Sequence, residues 1–186
     1  MKRRRLIPII MLVAITLGCS GVRVNQDYEP GTNLTALRTY RWKSPTQAKT
    51  GDPRIDNPLR DQRIRAAVDR QLADKGLVKT EDKDPDFLVH YQNTLRQKIE
   101  STGTSGGFGF GVGSYGRRGT IAIGTGNDVR EYDEGSLVID FLDPTSDNLL
   151  WRGSGNQRYR EYQDPEKVTR DIDTLVVTIL KQFPPK

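Results

Sequence analysis

The chain has 186 residues, with 29 Lys and Arg against 24 Asp and Glu, one histidine and one cysteine. That length suits one domain with a real core and is short for two, and a lone cysteine excludes an internal disulfide and a cysteine-based metal site. The formal charge of +5 is concentrated in residues 1–18, which hold Lys2, Arg3, Arg4 and Arg5 and no acid; the remaining 168 residues carry 25 bases and 24 acids, which removes the electrostatic case for a nucleic-acid partner.

After the four cations comes an apolar run, residues 6–17, interrupted by Pro8 and Thr16. Its twelve residues suit the core of an export signal and fall short of the roughly 20 that a spanning helix needs. Gly18 then precedes Cys19. The arrangement resembles the bacterial lipobox, with Thr16 where that motif usually has Leu and Leu17 where it usually has a small or β-branched residue. The resemblance implies a signal peptide at residues 1–18, lipidation at Cys19 through a diacylglyceryl thioether, and a palmitate-type chain on the new amine. Several acyl chains on one residue satisfy the need for more than one anchoring signal, so the bilayer is an expected partner through acylated Cys19. Ser20 in place of Asp implies sorting to the outer membrane, with the domain facing the periplasm. The alternatives are an ordinary secretory signal followed by a chance cysteine, or a short membrane anchor.

Residues 19–30 form the lipidated N-terminus and a first strand at 22–28, in which Val22 and Val24 share one face; Glu29-Pro30-Gly31 breaks it. A second strand is expected at 37–43, followed by a polar loop at 44–53. Asn57 before Pro58 reads as a helix cap and first helical residue. The helix that follows carries Ile64, Ala67, Val68 and Leu72 on one stripe, and Gly76 is placed to end it. Asp61–Arg65, Arg65–Asp69 and Arg70–Asp74 recur at i,i+4 and read as a solvated face. Residues 86–95 predict a strand with Phe87, Val89 and Tyr91 on one face and Leu88, His90 and Gln92 on the other. Residues 103–126 are glycine-rich and read as a hairpin bearing the aromatics Phe108, Phe110 and Tyr115. Strands at 130–142 and 149–154 flank the turn Asp143-Pro144-Thr145-Ser146-Asp147-Asn148. Asp164-Pro165 opens a second helix with Val168, Ile172, Leu175, Val176, Ile179 and Phe183 at helical spacing, stopped by Pro184-Pro185. Strands flanking two helices predict one α+β domain over 22–185, a mostly antiparallel sheet with both helices packed on one face.

Arg38-Thr39-Tyr40-Arg41-Trp42, the run from Asp84-Pro85-Asp86-Phe87 to Tyr91, the stretch 135–143, Leu150-Trp151-Arg152-Gly153 and the ending Phe183-Pro184-Pro185 together resemble the DUF4136 lipoproteins, a family of unknown function. The resemblance covers nearly the whole chain after the signal. It implies location and fold, and supplies no catalytic residue.

The glycine run lacks the following helix and the Gly-Lys-Ser or Gly-Lys-Thr that phosphate binding requires, since β-like Thr120-Ile121-Ala122-Ile123 follows it. Phe108, Phe110, Tyr115 and Arg117 are instead candidate partner contacts, or else hairpin residues packing on one another. Asp82, Asp84 and Asp86 alternate as in a calcium loop, but Phe87 and Asn93 stand where Gly and Glu are needed. His90 has no partner set in sequence for a metal or a nucleophile, and reads as a strand histidine. Two Trp–Arg neighbours, Arg41-Trp42 and Trp151-Arg152, would form a stacked groove if their strands lie close, or serve packing alone. No catalytic residue, metal ligand or cofactor is assigned. The expected function is a membrane-anchored, non-enzymatic binding or structural module for an envelope protein or glycan. The alternative is a carrier holding a small apolar or glycan ligand between sheet and helices.

Overall fold

The computed structural model describes residues 21–81, 84–101 and 129–185. In chain order these form β1 (Arg23–Tyr28), β2 (Thr39–Trp42), α1 (Pro58–Asp74), β3 (Val78–Lys79), β4 (Phe87–Ser101), β5 (Val129–Leu142), β6 (Leu149–Arg158) and α2 (Pro165–Leu180). The strands build one sheet in the order β1-β6-β5-β4-β2-β3. The fold is α+β, as the sequence predicts, but the sheet is mixed. Pairings β1–β6, β6–β5 and β5–β4 are antiparallel, whereas β2 runs parallel to both β4 and β3. The reason is the connection. A tight turn reverses the chain, as between β5 and β6, while helix α1 between β2 and β4 carries it back to start in the same direction.

Both helices start as their sequences dictate. The Asn57 side chain accepts the Leu59 amide and Pro58 fills the first position; Asp164 and Pro165 do the same for α2, with the Glu166 amide donating. Gly76, at φ +79°, takes the left-handed turn that ends α1, and the Leu77 amide closes onto the Leu72 carbonyl. The buried stripe of α1 is Ile64, Ala67, Val68 and Leu72, and that of α2 is Ile172, Leu175, Val176, Ile179 and Leu180. They pack in one cluster with Phe87, Val89 and Tyr91 of β4, Leu137, Ile139 and Phe141 of β5 and Trp151 of β6, so both helices cover the same face. Phe141 lies at the centre, its ring 4.6 Å from Phe87, 4.8 Å from Trp151 and 4.8 Å from Phe183.

Several elements differ from expectation, and β2 is confined to Thr39–Trp42 of the expected 37–43. Strand β4 runs on to Ser101 and β6 to Arg158, because their pairing with β5 continues through polar residues where periodicity gives no signal. Strand β3 is only two residues long, with Val78 exposed, and its parallel pairing to β2 is invisible in a short polar stretch. Helix α2 ends at Leu180, and Phe183 folds back into the core beyond it. The charged side of α1 is not merely solvated. Arg65 does pair with Asp61, but Arg70 crosses to Asp173 of α2, and Asp69 turns to the sheet margin. The glycine-rich hairpin expected at 103–126 lies outside the described residues.

Helix α2 settles directly on β6 because Gly153 and Gly155 stand beneath it. A Cβ at Gly153 would come within 2.3 Å of the Trp151 ring and 2.6 Å of Ile179; one at Gly155 would meet Ile179 and Leu175 at 2.8 Å. Gly153→Ala and Gly155→Ala are each expected to cost about 1–3 kcal/mol by overpacking. Ser154→Ala, on the opposite face between them, should stay within about 0.5 kcal/mol. Denaturant midpoints of the three variants check this, and equal midpoints would mean that α2 does not seat there. On the same helix, Ile172→Ala should cost about 2–4 kcal/mol, since Ile172 is 3% exposed.

Candidate functional site

The sequence-derived candidates separate in space. Cys19, Phe108, Phe110, Tyr115 and Arg117 lie outside the described residues, as does Asp82. Asp84 is exposed, and the Asp86 carboxylate is already engaged, accepting the amides of Arg38 and Thr39 at 2.8 Å each. Those bonds pull its pKa below the ordinary carboxylate range and fasten the start of β2 to β4. Among the described residues, no group of three or more His, Cys, Asp and Glu is placed to hold a metal ion. The two Trp–Arg neighbours do not form a groove, because β2 and β6 are separated by β4 and β5. Trp151 is fully buried beside Phe141 and Phe183 and serves packing.

Trp42 behaves differently. It stands half-buried on β2 and finds its arginine on α1: the Arg65 guanidinium lies 4.4 Å from the indole centroid and 5.7 Å from that of Tyr91. Arg65 Nε donates to Asp61 at 2.8 Å, and the Tyr91 hydroxyl donates to the same Asp61 oxygen. One helical turn on, Asp69 accepts from the Tyr40 hydroxyl and the Trp42 indole N–H, both at 2.9 Å. Burial, then the bond to an aspartate, drives the hydroxyl pKa of both tyrosines upward, so each remains a proton donor. The i,i+4 spacing of Asp61, Arg65 and Asp69 thus serves to present a carboxylate, a cation and a carboxylate along one side of α1.

Beside this network opens a cleft of about 440 Å³, walled by Arg41, Trp42, Lys43, Arg65, Asp69, Lys79 and Glu81 among others. Four cationic residues and two acidic ones are among its lining. Lys79 is shared between Asp69 and Glu81 and Lys43 pairs with Asp147, whereas Arg41 has no carboxylate within ion-pair distance among the described residues. The cleft therefore offers cationic N–H donors over an indole floor, a surface for acidic or hydroxyl-rich chemistry.

The sheet face turned away from the helices carries a cross-strand row. His90, Asp140 and Arg152 are register neighbours on β4, β5 and β6. Arg152 clasps Asp140 through two bonds of 2.6 and 2.7 Å. Burial pulls the His90 pKa below its ordinary value, against the opposing pull of Asp140. His90 is thus more easily protonated in the unfolded chain than in the folded one. Its contribution to stability is complete above the unfolded pKa of about 6.5 and is lost as pH falls below it.

The sequence profile of a domain of unknown function, DUF4136, matches residues 24–185. The chain belongs to the DUF4136 family. A comparison with curated proteins finds no match. Among solved structures, this DUF4136 chain is similar to a PDZ domain protein from Parabacteroides distasonis, with 12% identity and a TM-score of 0.52 over 89% of the chain and 36% of that protein. The chain thus spans little more than a third of that protein's length. It also overlaps a PelC dodecamer subunit from Paraburkholderia phytofirmans, with 10% identity and a TM-score of 0.45 over 86% of the chain and 95% of that subunit. At the first of these identities the likeness is one of fold alone.

Two outcomes follow for this DUF4136 domain. Asp69→Ala strands the Tyr40 hydroxyl and the Trp42 N–H, and is expected to cost about 1–3 kcal/mol in denaturant unfolding, with Asp69→Asn, which keeps an acceptor, costing less. Equal losses for the two variants would assign the effect to charge rather than to the hydrogen bonds. Thermal melting should also fall between about pH 7 and pH 5, and His90→Gln should flatten part of that slope. An unchanged slope in the variant would remove His90 from the acid response.

Proposed function

We propose that this DUF4136 protein is a lipoprotein of the cell envelope, held in the outer membrane through acylated Cys19 and facing the periplasm, where it works as a non-enzymatic binding module. The observation that carries the reading is the cation-lined cleft over Trp42, open to solvent and outside a filled core. An indole floor with Arg41, Lys43 and Lys79 suits an acidic or hydroxyl-rich partner, such as a glycan or an acidic segment of an envelope protein. Phe108, Phe110, Tyr115 and Arg117, in the insertion between β4 and β5, form a second candidate contact.

The carrier reading has less in its favour. The space between sheet and helices that a ligand would occupy is taken by Phe87, Phe141, Trp151 and Phe183, with ring centroids 4.6–5.3 Å apart. A hydrolase working through paired carboxylates would need one of them held protonated, and the carboxylates with displaced titration among the described residues, Asp52, Asp56, Asp86 and Asp143, are all displaced downward by hydrogen bonds.

Crosslinking in intact cells, read by mass spectrometry, tests the module. Arg41→Glu is expected to leave melting unchanged, since Arg41 pairs with no carboxylate among the described residues, and to deplete the crosslinked partner several-fold. Identical crosslinks in wild type and variant would remove the cleft from the interface. Cys19→Ser is expected to give an uncleaved or soluble precursor in membrane fractionation; normal acylated protein from that variant would overturn the anchor.

A further inference from the structure

A second cleft, independent of the one over Trp42, lies where the first turn of α1 and the N-terminal half of α2 meet the end of β6 and the middle of β4 and β5. It is narrow, about 20 Å³, and Arg60, Asn93, Gly135, Tyr159, Arg160 and Asp171 are among the residues that line it. Asn93 is on the helix-facing side of β4 and is 2% exposed, yet its amide nitrogen is buried with no acceptor. Arg60 is half-buried, and its Nε is likewise buried with no acceptor. Among the described residues the Arg60 guanidinium makes no ion pair; it stacks on Tyr159 at 5.6 Å to the ring centroid. Its neighbour Arg54, stacked on the same ring at 6.0 Å, is by contrast neutralised by Asp52 and Asp133. The floor is Gly135, whose missing side chain leaves the Tyr159 ring as the nearest side-chain neighbour, at 4.0 Å from a Cβ placed there.

Two dry donors thus face one small space, and one of them belongs to an unneutralised cation. A buried donor without an acceptor is costly, and a buried charge without a counter-charge more so, so this space is built for a group with lone pairs and negative charge. The guanidinium fork fits the oxygens of a carboxylate or a phosphate. Asp171 is the one acid on the wall and attracts Arg60 from beyond ion-pair distance, while Arg160 is engaged by the Tyr162 hydroxyl. Room for about one water-sized group means that a single oxygen enters while the rest of the molecule stays at the mouth.

We propose that the Arg60–Asn93 cleft is an oxyanion subsite, which takes one oxygen of a carboxylate or phosphate group between the Arg60 guanidinium and the Asn93 amide. The test uses the full chain in detergent, with arginine Nε–H signals followed by NMR and melting followed in parallel. Inorganic phosphate and acetate are titrated separately at fixed ionic strength against chloride. The expected result is a saturable shift of one arginine Nε–H signal, absent in Arg60→Met, with melting raised by about 5 °C at a hundredfold excess over Kd. The stronger of the two anions identifies the group. Asn93→Asp brings a carboxylate of the chain's own to the same place and is expected to raise the melt while abolishing the anion response. If neither anion shifts the signal saturably, if Arg60→Met still responds, or if Asn93→Asp lowers the melt and keeps the response, a trapped water fills the cleft and the proposal is overturned.

Discussion

Where α2 crosses β6 it rests on backbone, and the rest of the structure depends on that close seat. Gly153 and Gly155 bring Ile179 and Leu175 down to the strand, and the Trp151 ring spreads over the space that a Cβ would take. Trp151 then meets Phe141 and Phe183, and Phe141 passes the packing on to Phe87 and thence, at 5.8 Å, to Tyr40. A side chain at either glycine would lift the helix and open this row at its end. The row spans β6, β5, β4 and β2, so a local fit at one crossing sets the spacing of the helical layer over most of the sheet.

The α1 half of the molecule is held by a different chemistry. Its apolar stripe is modest, and the margin of the helix is tied to the sheet through carboxylates: Asp61 to Tyr91, Asp69 to Tyr40 and Trp42. Arg65 lies between them on the Trp42 face. These half-buried ties fix the aromatic donors in place and leave the indole with a polar neighbour toward solvent. The same arrangement that secures α1 thereby shapes the cleft beside it, and stability and recognition share residues there.

Much of this was legible in the chain. Both helix starts followed from Asn57-Pro58 and Asp164-Pro165, because a cap and a fixed φ are local chemistry. Alternation put Phe87, Val89 and Tyr91 on one face, and that face is the buried one, since period-two patterning is enforced by the core. The parallel pairing of β2 was not legible, since it depends on how a helix returns the chain and not on any residue within the strand. Nor were the roles of Asp69 and Arg65: i,i+4 spacing reads equally as a surface ladder, and only the position of Trp42 across the gap turns it into a network. The Arg60–Asn93 cleft joins a helix start to a mid-strand amide and left no mark in either segment's pattern. Asn93 itself stood at an inward position of β4, and a polar residue where alternation calls for an apolar one is the signal that could have found it.

Strand β1 closes the sheet at an edge, against β6. The bond from the Trp151 indole to Gln26 spans 125 residues of sequence, and that from Gln182 to the Asn25 carbonyl spans 157. The first strand to be made is therefore among the last to find its place. During synthesis, β1 waits until β6 has emerged, and β6 presents an unpaired edge until β1 docks on it. Contacts of such long range slow folding, and an open edge is a site of wrong pairing. The burden of reaching the native state falls on the meeting of β1 with β6 and the segment after α2.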